Sequence, residues 1–592
     1  MITAAVNKPA TAKQVFKNFQ IGKRQLWESL PPHIAAGLTQ EGEEALGKPW
    51  PFLTLTLFQD YFYTGNRKRY EELYFAKRKN LCSLVLAECV ENKGRFLDSI
   101  SEGIWSIISE VSWVLPAHNT YKRDTHALPI PLTDKPILDL FACETGALLS
   151  TTIHLLKEVL DPLLVRTVSD QLDLRILTPY LDDYVWWMGL KGETLNNWTT
   201  WCTQNILITA FTLDIKETIV KELYHKSAKS LDAWLDQYGD DGCCDEGPSY
   251  YHHAASCLWG CLYILEEGLG PIFTKLYQQE KIKNIAAYIM NVHVADDLYL
   301  NYADSLPKAG RLGVREYLFG KTVKNPSLIR QALLDYRIHP FEKGDNDYNL
   351  FYRLLAAVHS EELLTTPLPK EEKKPSFIWY QSVGLAIYRR GPFTLAVKAG
   401  NNGDSHNHND TGSIILYAGK KPLLIDVGVG TYTSLTFSPK RYHIWTMQSA
   451  YHNVVNFPPI GQEAGKDFGA TLLFVNDAKI VLELRGAYPE EAKVKSYIRT
   501  VTITPEKVMV HEFVEGTKEP MLTLMSPERC TAKEFDLVGD GWNITVDGNP
   551  IELVVTQLCV EDPPLVAAWG NELYRTTITF DTQLTWCVSV NS

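Results

Sequence analysis

The sequence lacks any apolar run of membrane-spanning length, and it lacks the cysteine spacing of a metal-binding ribbon. No segment of its 592 residues approaches the roughly 18 uninterrupted apolar residues that a spanning helix requires. Its 11 cysteines include no CxxC pair, and the neighbours Cys243 and Cys244 are poorly placed to form a disulfide with each other. We therefore predict a protein without a membrane partner, whose thiols are buried and reduced.

Positive charge is scarce as well. Lysine and arginine together number 58 against 70 aspartates and glutamates, a net charge of -12. A nucleic-acid binder needs a dominant basic surface, so we predict no nucleic-acid partner. A local group of basic side chains can still hold an anionic ligand on an acidic protein. The opening MITAAVNKPATAKQVFKNFQ lacks the layout of a secretory leader, so we expect a cytoplasmic location, or a secreted or periplasmic one if a leader was trimmed.

The pattern of apolar residues divides the chain into two parts. From about residue 50 to residue 365 they recur at helical spacing, which predicts a solenoid or a closed ring of helical hairpins. The Pro- and Lys-rich stretch TTPLPKEEKKPS then precedes β-rich runs such as FTLAVKAG and GSIILYAG, which predict an antiparallel β-sandwich. We place a helical domain over residues 1–370 and a sandwich domain over residues 371–592.

The segment GDSHNHNDTGS carries the strongest local pattern for a site. It places His406 and His408 two residues apart, so the two imidazoles face the same side on a strand and part if the segment bends. Asp426 follows the apolar run KPLLI, and His452 lies in MQSAYHNVV. Two histidines and a carboxylate suit a divalent ion, favouring zinc without excluding manganese or iron. The alternative is a set of hydrogen-bonded core or surface residues.

Two further clusters lie in the helical part. In DEGPSYYHH, Pro248 suits the start of a helix, which would hold Tyr250 and Tyr251 where a phenolate costs less. The competing interpretation is that these tyrosines pack between helices. In GETLNNWTTW, Asn196 and Asn197 precede an aromatic-rich helix. They are either helix caps or amide donors to a carboxylate.

A third cluster, SEVSWVLPAHNTYKR, has the residue types of a sugar-binding surface. It contains Trp113, His118 and Asn119 at the passage from a helix into a loop. Aromatic faces commonly stack on sugar rings, although most aromatic side chains serve the core. By itself the segment indicates only a loop.

Together these segments resemble the heparinase II/III-like polysaccharide lyases. The helical half is similar to that group through WVLPAHN, DLFACETGALL, NNW and DEGPSYY, which occur in the expected order. The β half is similar through GDSHNHNDTGSIILY, LLIDVGVGTYT and QSAYHN. The resemblance covers nearly the whole chain. It implies an α+β multidomain protein, with an N-terminal (α/α) toroid of helical hairpins followed by a C-terminal antiparallel β-sandwich.

The resemblance also implies roles for single residues. Tyr250 and His406 would be catalytic, and Asn197 would neutralise the substrate carboxylate. Because each of these residues has a neighbour of the same type, Tyr251 could take the role of Tyr250, and Asn196 that of Asn197. One structural divalent ion, usually zinc in related enzymes and with manganese still open, would be held by His408, Asp426 and His452. The expected substrate-binding residues are Asn196, Tyr251, His118, Trp113, Asn119 and Arg441.

The activity implied is β-elimination of 4-linked uronic-acid-containing polysaccharides. Hyaluronan, chondroitin and heparan sulfate are the preferred substrates, with an alginate-type uronan as the alternative. The C5 proton becomes acidic only when the neighbouring carboxylate is neutralised, as an amide of Asn197 could do. A tyrosine or histidine then removes that proton, and a tyrosine protonates the departing oxygen.

Three other functions remain open from the sequence. A metal-dependent glycan hydrolase would activate water with an ion held by the histidines. A glycoside hydrolase would need two carboxylates flanking the bond, yet Asp245 and Glu246 are neighbours on one loop. A noncatalytic carbohydrate-binding protein would not need tyrosine, histidine and asparagine in one set. The partner expected is an anionic polysaccharide or oligosaccharide, and assembly into a homo-oligomer is left open.

Overall fold

The computed structural model describes residues 1–590 except residues 9, 124 and 339–347. The chain divides into two compact units. The first, here called the helical unit, comprises Met1–Tyr238, His252–Ala286 and Arg311–Glu372. The second, here called the sheet unit, comprises Gly239–Tyr251, Ala287–Gly310 and Lys373–Ser592. Two short segments from the first 310 residues therefore belong to the sheet unit, and one of them carries Tyr250.

Helices dominate the chain up to Thr365. Their bounds are α1 Ile2–Val6, α2 Arg24–Glu28, α3 Pro32–Leu46, α4 Leu55–Thr64, α5 Lys68–Glu91, α6 Leu97–Ile108, α7 Leu140–Leu156, α8 Pro162–Leu172, α9 Thr178–Asp182, α10 Asn197–Thr212, α11 Glu217–Gln237, α12 Tyr251–Leu269, α13 Glu280–Val292, α14 Val314–Val323, α15 Pro326–Ile338, α16 Leu350–Val358 and α17 Ser360–Thr365. A last helix, α18, spans Pro563–Trp569. Short 3₁₀ turns cover Pro116–His118, Trp186–Met188 and Pro248–Tyr250.

Helices α7 and α10 form the buried centre of the helical unit, where they pack against each other. Nearly every residue of both is buried. Their serines and threonines fit there because a helical hydroxyl can donate back to its own backbone, as Thr209 Oγ1 does to Asn205 O at 2.9 Å. Each helix begins at a side-chain cap. Asp139 accepts from the amide of Ala142, and Asn196 accepts from the amide of Trp198.

Strands follow, and all of their described pairings are antiparallel. Their bounds are β1 His293–Ala295, β2 Leu298–Tyr299, β3 Phe377–Tyr380, β4 Leu385–Arg390, β5 Phe393–Lys398, β6 Asn401–Asn402, β7 Ile414–Ala418, β8 Lys421–Leu424, β9 Val455–Asn456, β10 Gly465–Gly469, β11 Thr471–Val475, β12 Lys479–Glu483, β13 Ser496–Ile503, β14 Lys507–Glu515, β15 Met521–Ser526, β16 Thr531–Lys533, β17 Asp536–Val538, β18 Trp542–Cys559 and β19 Glu572–Val590.

Two large sheets organise the sheet unit. A five-stranded sheet has the order β3-β4-β5-β7-β8. A ten-stranded sheet runs β11-β12-β13-β14-β19-β18-β17-β16, with β15 joined to β19 and β9. Burial alternates residue by residue along β13 and β14, as expected for strands with one face towards a core. Side chains of both sheets, among them Leu395, Leu416, Val510 and Trp586, fill one hydrophobic core.

The predicted fold class is confirmed as a helical N-terminal region followed by antiparallel sheets. The stretch TTPLPKEEKKPS runs without regular structure from the end of α17 to the start of β3. Among the described residues, no helix is both long and apolar enough to cross a membrane.

Candidate active site and metal triad

The segment with the two histidines is a loop between β6 and β7, not a strand. His406 has a φ of 58°, a left-handed backbone conformation that breaks the alternation of an extended chain. The two imidazoles therefore part, which is the second of the two arrangements considered for this segment. His406 and His408 nevertheless contact opposite oxygens of one carboxylate, that of Asp304.

His406 is held between two carboxylates. Its Nδ1 lies 2.9 Å from Asp304 Oδ2 and its Nε2 lies 3.1 Å from Glu246 Oε2, with 9% of the side chain exposed. Burial by itself would lower the pKa of His406, but the hydrogen bonds to Asp304 and Glu246 outweigh it and raise that pKa to about 9. The imidazole is thereby fixed as a positively charged group.

Tyr250 lies against this imidazole. The two ring centroids are 4.4 Å apart, and the Oη atoms of Tyr250 and Tyr432 are 2.5 Å apart. Tyr432 in turn donates to Asp304 Oδ2 at 3.2 Å. Burial and the Asp304 carboxylate raise the pKa of Tyr250 well above its ordinary value. The expectation of an easier phenolate is wrong for this arrangement, because burial and then the nearby negative charge disfavour the anion.

A glycine sets the position of Tyr250. Gly247 ends the acidic loop with a φ of 90°, which favours glycine. A Cβ at this position would lie 2.5 Å from the carbonyl oxygen of Tyr302. The close approach allows the loop to turn into the Pro248–Tyr250 segment just before α12.

Asp304 joins the members of the cluster, and it is not among the site residues predicted from the sequence. Its buried carboxylate accepts from His406, His408 and Tyr432, and from Arg441 at 2.6 Å. Burial would raise its pKa, but the histidines and Arg441 hold that pKa well below the usual range. No local spacing could have revealed Asp304 or Tyr432, because both meet His406 through tertiary packing.

Arg441 and Tyr251, both expected to bind substrate, are buried side chains. Arg441 is 8% exposed, and it donates to Asp304 and to the carbonyl oxygens of Thr436 and Asn407. Its guanidinium fixes Asp304. Tyr251 is fully buried, which favours core packing for this side chain, and its contact with substrate stays a prediction. Of the two neighbouring tyrosines, Tyr250 is therefore the better candidate for the catalytic residue.

His408, Asp426 and His452 form a buried triad whose ligand atoms lie within 4.8 Å of one another. Asp426 Oδ1 is 3.8 Å from His408 Nδ1, and Oδ2 is 3.4 Å from His452 Nδ1. Both Nδ1 atoms are buried without a hydrogen-bond partner among the described residues. Buried polar atoms are normally satisfied, so two orphaned nitrogens beside a carboxylate fit a divalent metal ion.

The Nε2 atoms of the two triad histidines, which face away from Asp426, each contact an oxygen, as is usual for histidines that bind a metal through Nδ1. Nε2 of His408 faces Asp304 Oδ1 at 3.2 Å, and Nε2 of His452 faces Thr446 O at 3.0 Å. Such contacts fix the tautomer and leave Nδ1 as the lone pair for a ligand. The donor set of two imidazoles and one carboxylate suits zinc, and manganese also accepts it.

Asn453 ties together the three segments that carry the triad. It follows the histidine of one segment, and its Nδ2 donates to Ile414 O at 2.6 Å and to Ile425 O at 3.0 Å in the other two. Buried Arg499 donates to the carbonyl oxygens of Asn453 and Gly412, at 2.8 and 2.5 Å. These bonds set the spacing of backbone segments that are far apart in the sequence.

The candidates in the helical unit divide into buried and accessible residues. Trp113 is 2% exposed and donates to Ile107 O. Asn119 is fully buried and donates to Leu128 O. Both side chains thus make hydrogen bonds within the protein, and their role as sugar contacts stays a prediction. His118 keeps a partly exposed ring, with Nδ1 2.8 Å from Asp139 Oδ2.

Asn196 and Asn197 occupy the start of α10. Asn196 Oδ1 accepts from the amide of Trp198 at 3.1 Å, so Asn196 is a helix cap, the commoner of its two expected roles. Asn197 is the first residue of the helix, and its side chain is buried. Its assignment to the substrate carboxylate stays a prediction.

Comparisons with known proteins agree with this fold. Residues 372–462 match the family model described as heparinase II/III-like, C-terminal, a range that includes His406, His408, Asp426 and His452. The matched segment is heparinase II/III-like. The sequence resemblance is thus confirmed for this segment.

Solved structures share the fold over almost the entire chain. Similarity extends over 100% of this chain and 89% of a heparinase III structure, with a TM-score of 0.63 at 12% identity. A mutant heparan sulfate lyase from Pedobacter heparinus matches 94% of this chain and 83% of its own length, with TM-score 0.55 and 13% identity. The similarity to a mutant chondroitin AC lyase from Streptomyces coelicolor A3 covers 96% of this chain and 82% of the lyase, with a TM-score of 0.53 and 10% identity. No curated protein sequence matches the chain.

Proposed function

We propose that the protein is a polysaccharide lyase that cleaves 4-linked uronic-acid-containing polysaccharides by β-elimination. The observation that carries this proposal is the placement of the Tyr250 phenol 4.4 Å from the His406 imidazole, ring centroid to centroid. β-Elimination needs one group to take the C5 proton and one to protonate the leaving O4 atom. A half-buried tyrosine beside a fixed cation suits both transfers.

Tyr250 is the residue we assign to proton transfer. Its raised pKa keeps the phenol protonated at neutral pH, the form that can donate to the departing O4 atom. Because Tyr432 donates its proton to Asp304, its oxygen accepts from the Tyr250 hydroxyl in their short contact. In an elimination on one face of the sugar, Tyr250 would serve both steps from its phenolate form, which takes the C5 proton and then returns it to the leaving O4 atom.

His406 has a different task in this arrangement. Both of its nitrogens face carboxylates, Asp304 and Glu246, so neither is open to a substrate proton. A substrate carboxylate that displaced Glu246 would meet Nε2 as a donor, which stabilises the enolate-like charge. Asn197 of the helical unit is the amide that the family resemblance assigns to the same task.

The metal, for which zinc is our proposal, has a structural role. Held by His408, Asp426 and His452, it would join the loop that carries His406 to two other segments. The triad is fully buried, which disfavours a hydrolase that needs a metal-bound water open to substrate. Of the two neighbouring carboxylates considered for a glycoside hydrolase, Glu246 is already paired with His406.

The substrates proposed are glycosaminoglycans, with alginate as the alternative. The test is incubation with hyaluronan, chondroitin sulfate, dermatan sulfate, heparan sulfate and alginate, while ultraviolet absorbance reports the C4–C5 double bond of unsaturated products. We expect a rise with at least one polymer. Tyr250→Phe should lower kcat by about 10²–10⁴-fold, the usual contribution of general acid–base catalysis.

A matched control separates loss of chemistry from loss of structure. Tyr224→Phe changes a tyrosine of α11, in the helical unit, and should leave turnover unchanged. New reducing ends without absorbance would sink the lyase proposal in favour of hydrolysis. Full activity of Tyr250→Phe would instead refute the role of this tyrosine.

A further inference from the structure

The helical unit carries a second group of side chains suited to a sugar. We propose that Trp186, Trp198, His118 and Arg123 form a subsite that binds an anionic sugar of the polysaccharide. This inference rests on the proposed function and deepens it by assigning a residue set to substrate affinity rather than to chemistry.

Two indoles provide the apolar part of this subsite. Trp186 begins a 3₁₀ turn, and Trp198 is the second residue of α10. Their ring centroids are 5.3 Å apart at an interplanar angle of 43°. Both rings are partly exposed, whereas the nearby indoles of Trp187 and Trp201 are buried in the core. The chain thus buries two tryptophans here and leaves two accessible, as a sugar-stacking surface requires.

A cation lies directly over this surface. The Arg123 guanidinium carbon is 4.3 Å from the centroid of the Trp186 ring, and its NH1 atom donates to Thr194 O at 2.6 Å. The guanidinium thus covers one face of Trp186, and the carbonyl holds it beside the two indoles, where it offers a positive charge to the carboxylate or sulfate of a bound sugar. On a chain with a net charge of -12, such a fixed cation favours an anionic over a neutral sugar.

His118 completes the group with an oriented hydrogen-bonding atom. Its ring centroid is 4.8 Å from that of Trp198 and 5.9 Å from that of Phe141, to which it is stacked. Nδ1 faces Asp139 Oδ2, and Asp139 also accepts from the amide of Ala142 at 2.7 Å. The imidazole is therefore held by a helix cap, and Nε2 is the nitrogen left for a sugar hydroxyl or carboxylate.

The position of the subsite links it to the proposed chemistry. Trp198 directly follows Asn197, the residue assigned to the carboxylate of the uronate being cleaved. Stacking on Trp198 would therefore place a sugar unit next to Asn197 at the start of α10. Loss of this stacking should weaken binding and raise KM, while kcat on saturating polymer changes little.

The test measures binding apart from turnover. Trp186→Ala, Trp198→Ala and Arg123→Gln are each combined with Tyr250→Phe, which blocks cleavage. Affinity electrophoresis uses gels that contain hyaluronan, chondroitin sulfate, heparan sulfate, alginate or neutral dextran. We expect retardation of the parent by at least one uronate polymer and not by dextran. Each substitution should weaken that affinity about tenfold, as loss of an aromatic or arginine anchor does.

The control is Trp105→Ala, which removes an indole that is 58% exposed on α6 of the same unit. It should bind like the parent. Circular dichroism checks that each variant is folded. Arg123→Gln changes a partly exposed side chain and keeps both indoles in place. Binding by Trp186→Ala and Trp198→Ala that equals the control, or no binding of any uronate polymer by the parent, would overturn the subsite.

The two proposals fail in distinguishable ways. Polymer binding that depends on the two indoles, without unsaturated products from the wild-type protein, would refute elimination and leave the subsite standing. Unsaturated products with an unchanged KM in Trp198→Ala would refute the subsite and leave elimination standing.

Discussion

Removal of the metal from the buried triad should destabilise the sheet unit specifically. His408 and His452 each present a buried Nδ1 atom without a hydrogen-bond partner among the described residues. Asp426 is buried between them. Without an ion, the two Nδ1 atoms have beside them only the Asp426 carboxylate, at 3.8 and 3.4 Å, among the residues that the structure describes. A chelator that strips the ion should therefore lower the melting temperature of this unit.

The expected size follows from the contacts of the triad. When the ion leaves, one histidine can take up a proton and pair with Asp426, as the 3.4 Å approach of His452 allows. The other keeps an unsatisfied buried nitrogen, which costs about 1–3 kcal/mol. For a domain of this size each 1 kcal/mol corresponds to about 2–4 °C, so the melting temperature should fall by about 2–12 °C.

Calorimetry of the whole chain provides the assay, with elemental analysis of the same samples. We expect about one equivalent of a divalent ion per chain, a downward shift after chelation, and recovery when zinc or manganese is restored. His408→Ala should melt at the temperature of the metal-free protein, and the chelator should not change that temperature. His443→Ala, which changes a histidine outside the triad, should respond to chelation like the wild type.

Two results would refute this reasoning. One is a purified protein that holds no stoichiometric ion and melts at the same temperature with and without zinc. The other is a chelator shift that persists in His408→Ala, since the ion would then lie elsewhere.

Further predictions concern three polar side chains. Asn453→Ala should weaken metal affinity by about 10–100-fold, the usual effect of losing such a supporting contact. Competition with a chelator measures this affinity. The control Asn205→Ala, in the helical unit, should leave it unchanged. Tyr432→Phe should lower kcat about 10–100-fold in the absorbance assay while metal content stays unchanged, since it removes a hydrogen bond to Tyr250. Burial raises the pKa of Glu144 to about 7. As pH rises, the unfolded chain therefore loses this proton at a lower pH than the folded chain does. The free energy of unfolding should fall between about pH 4.5 and 7. Urea unfolding should show this loss, about 2–4 kcal/mol, in the wild type and not in Glu144→Gln.

Much of the local structure was predictable because it depends on neighbouring residues. Helical spacing identified the N-terminal helices, and alternation identified strands such as β13, where every second side chain is buried. The family resemblance selected His408, Asp426 and His452, and the structure brings these three together. Burial was harder to predict, since Trp113, Asn119 and Tyr251 have the residue types of a sugar site and yet lie in the interior.

The sequence by itself determined the order of helices and strands, the acidic balance of the chain, and the motifs that contain Tyr250, His406 and the triad. Only the tertiary structure decided how those motifs act. Asp304 lies 102 positions before His406, and Tyr432 lies 182 positions after Tyr250, so no local pattern records these contacts. The pKa of a buried group depends on the charges packed around it. The ionisation of Tyr250 and His406 therefore follows from the carboxylates that folding brings to them.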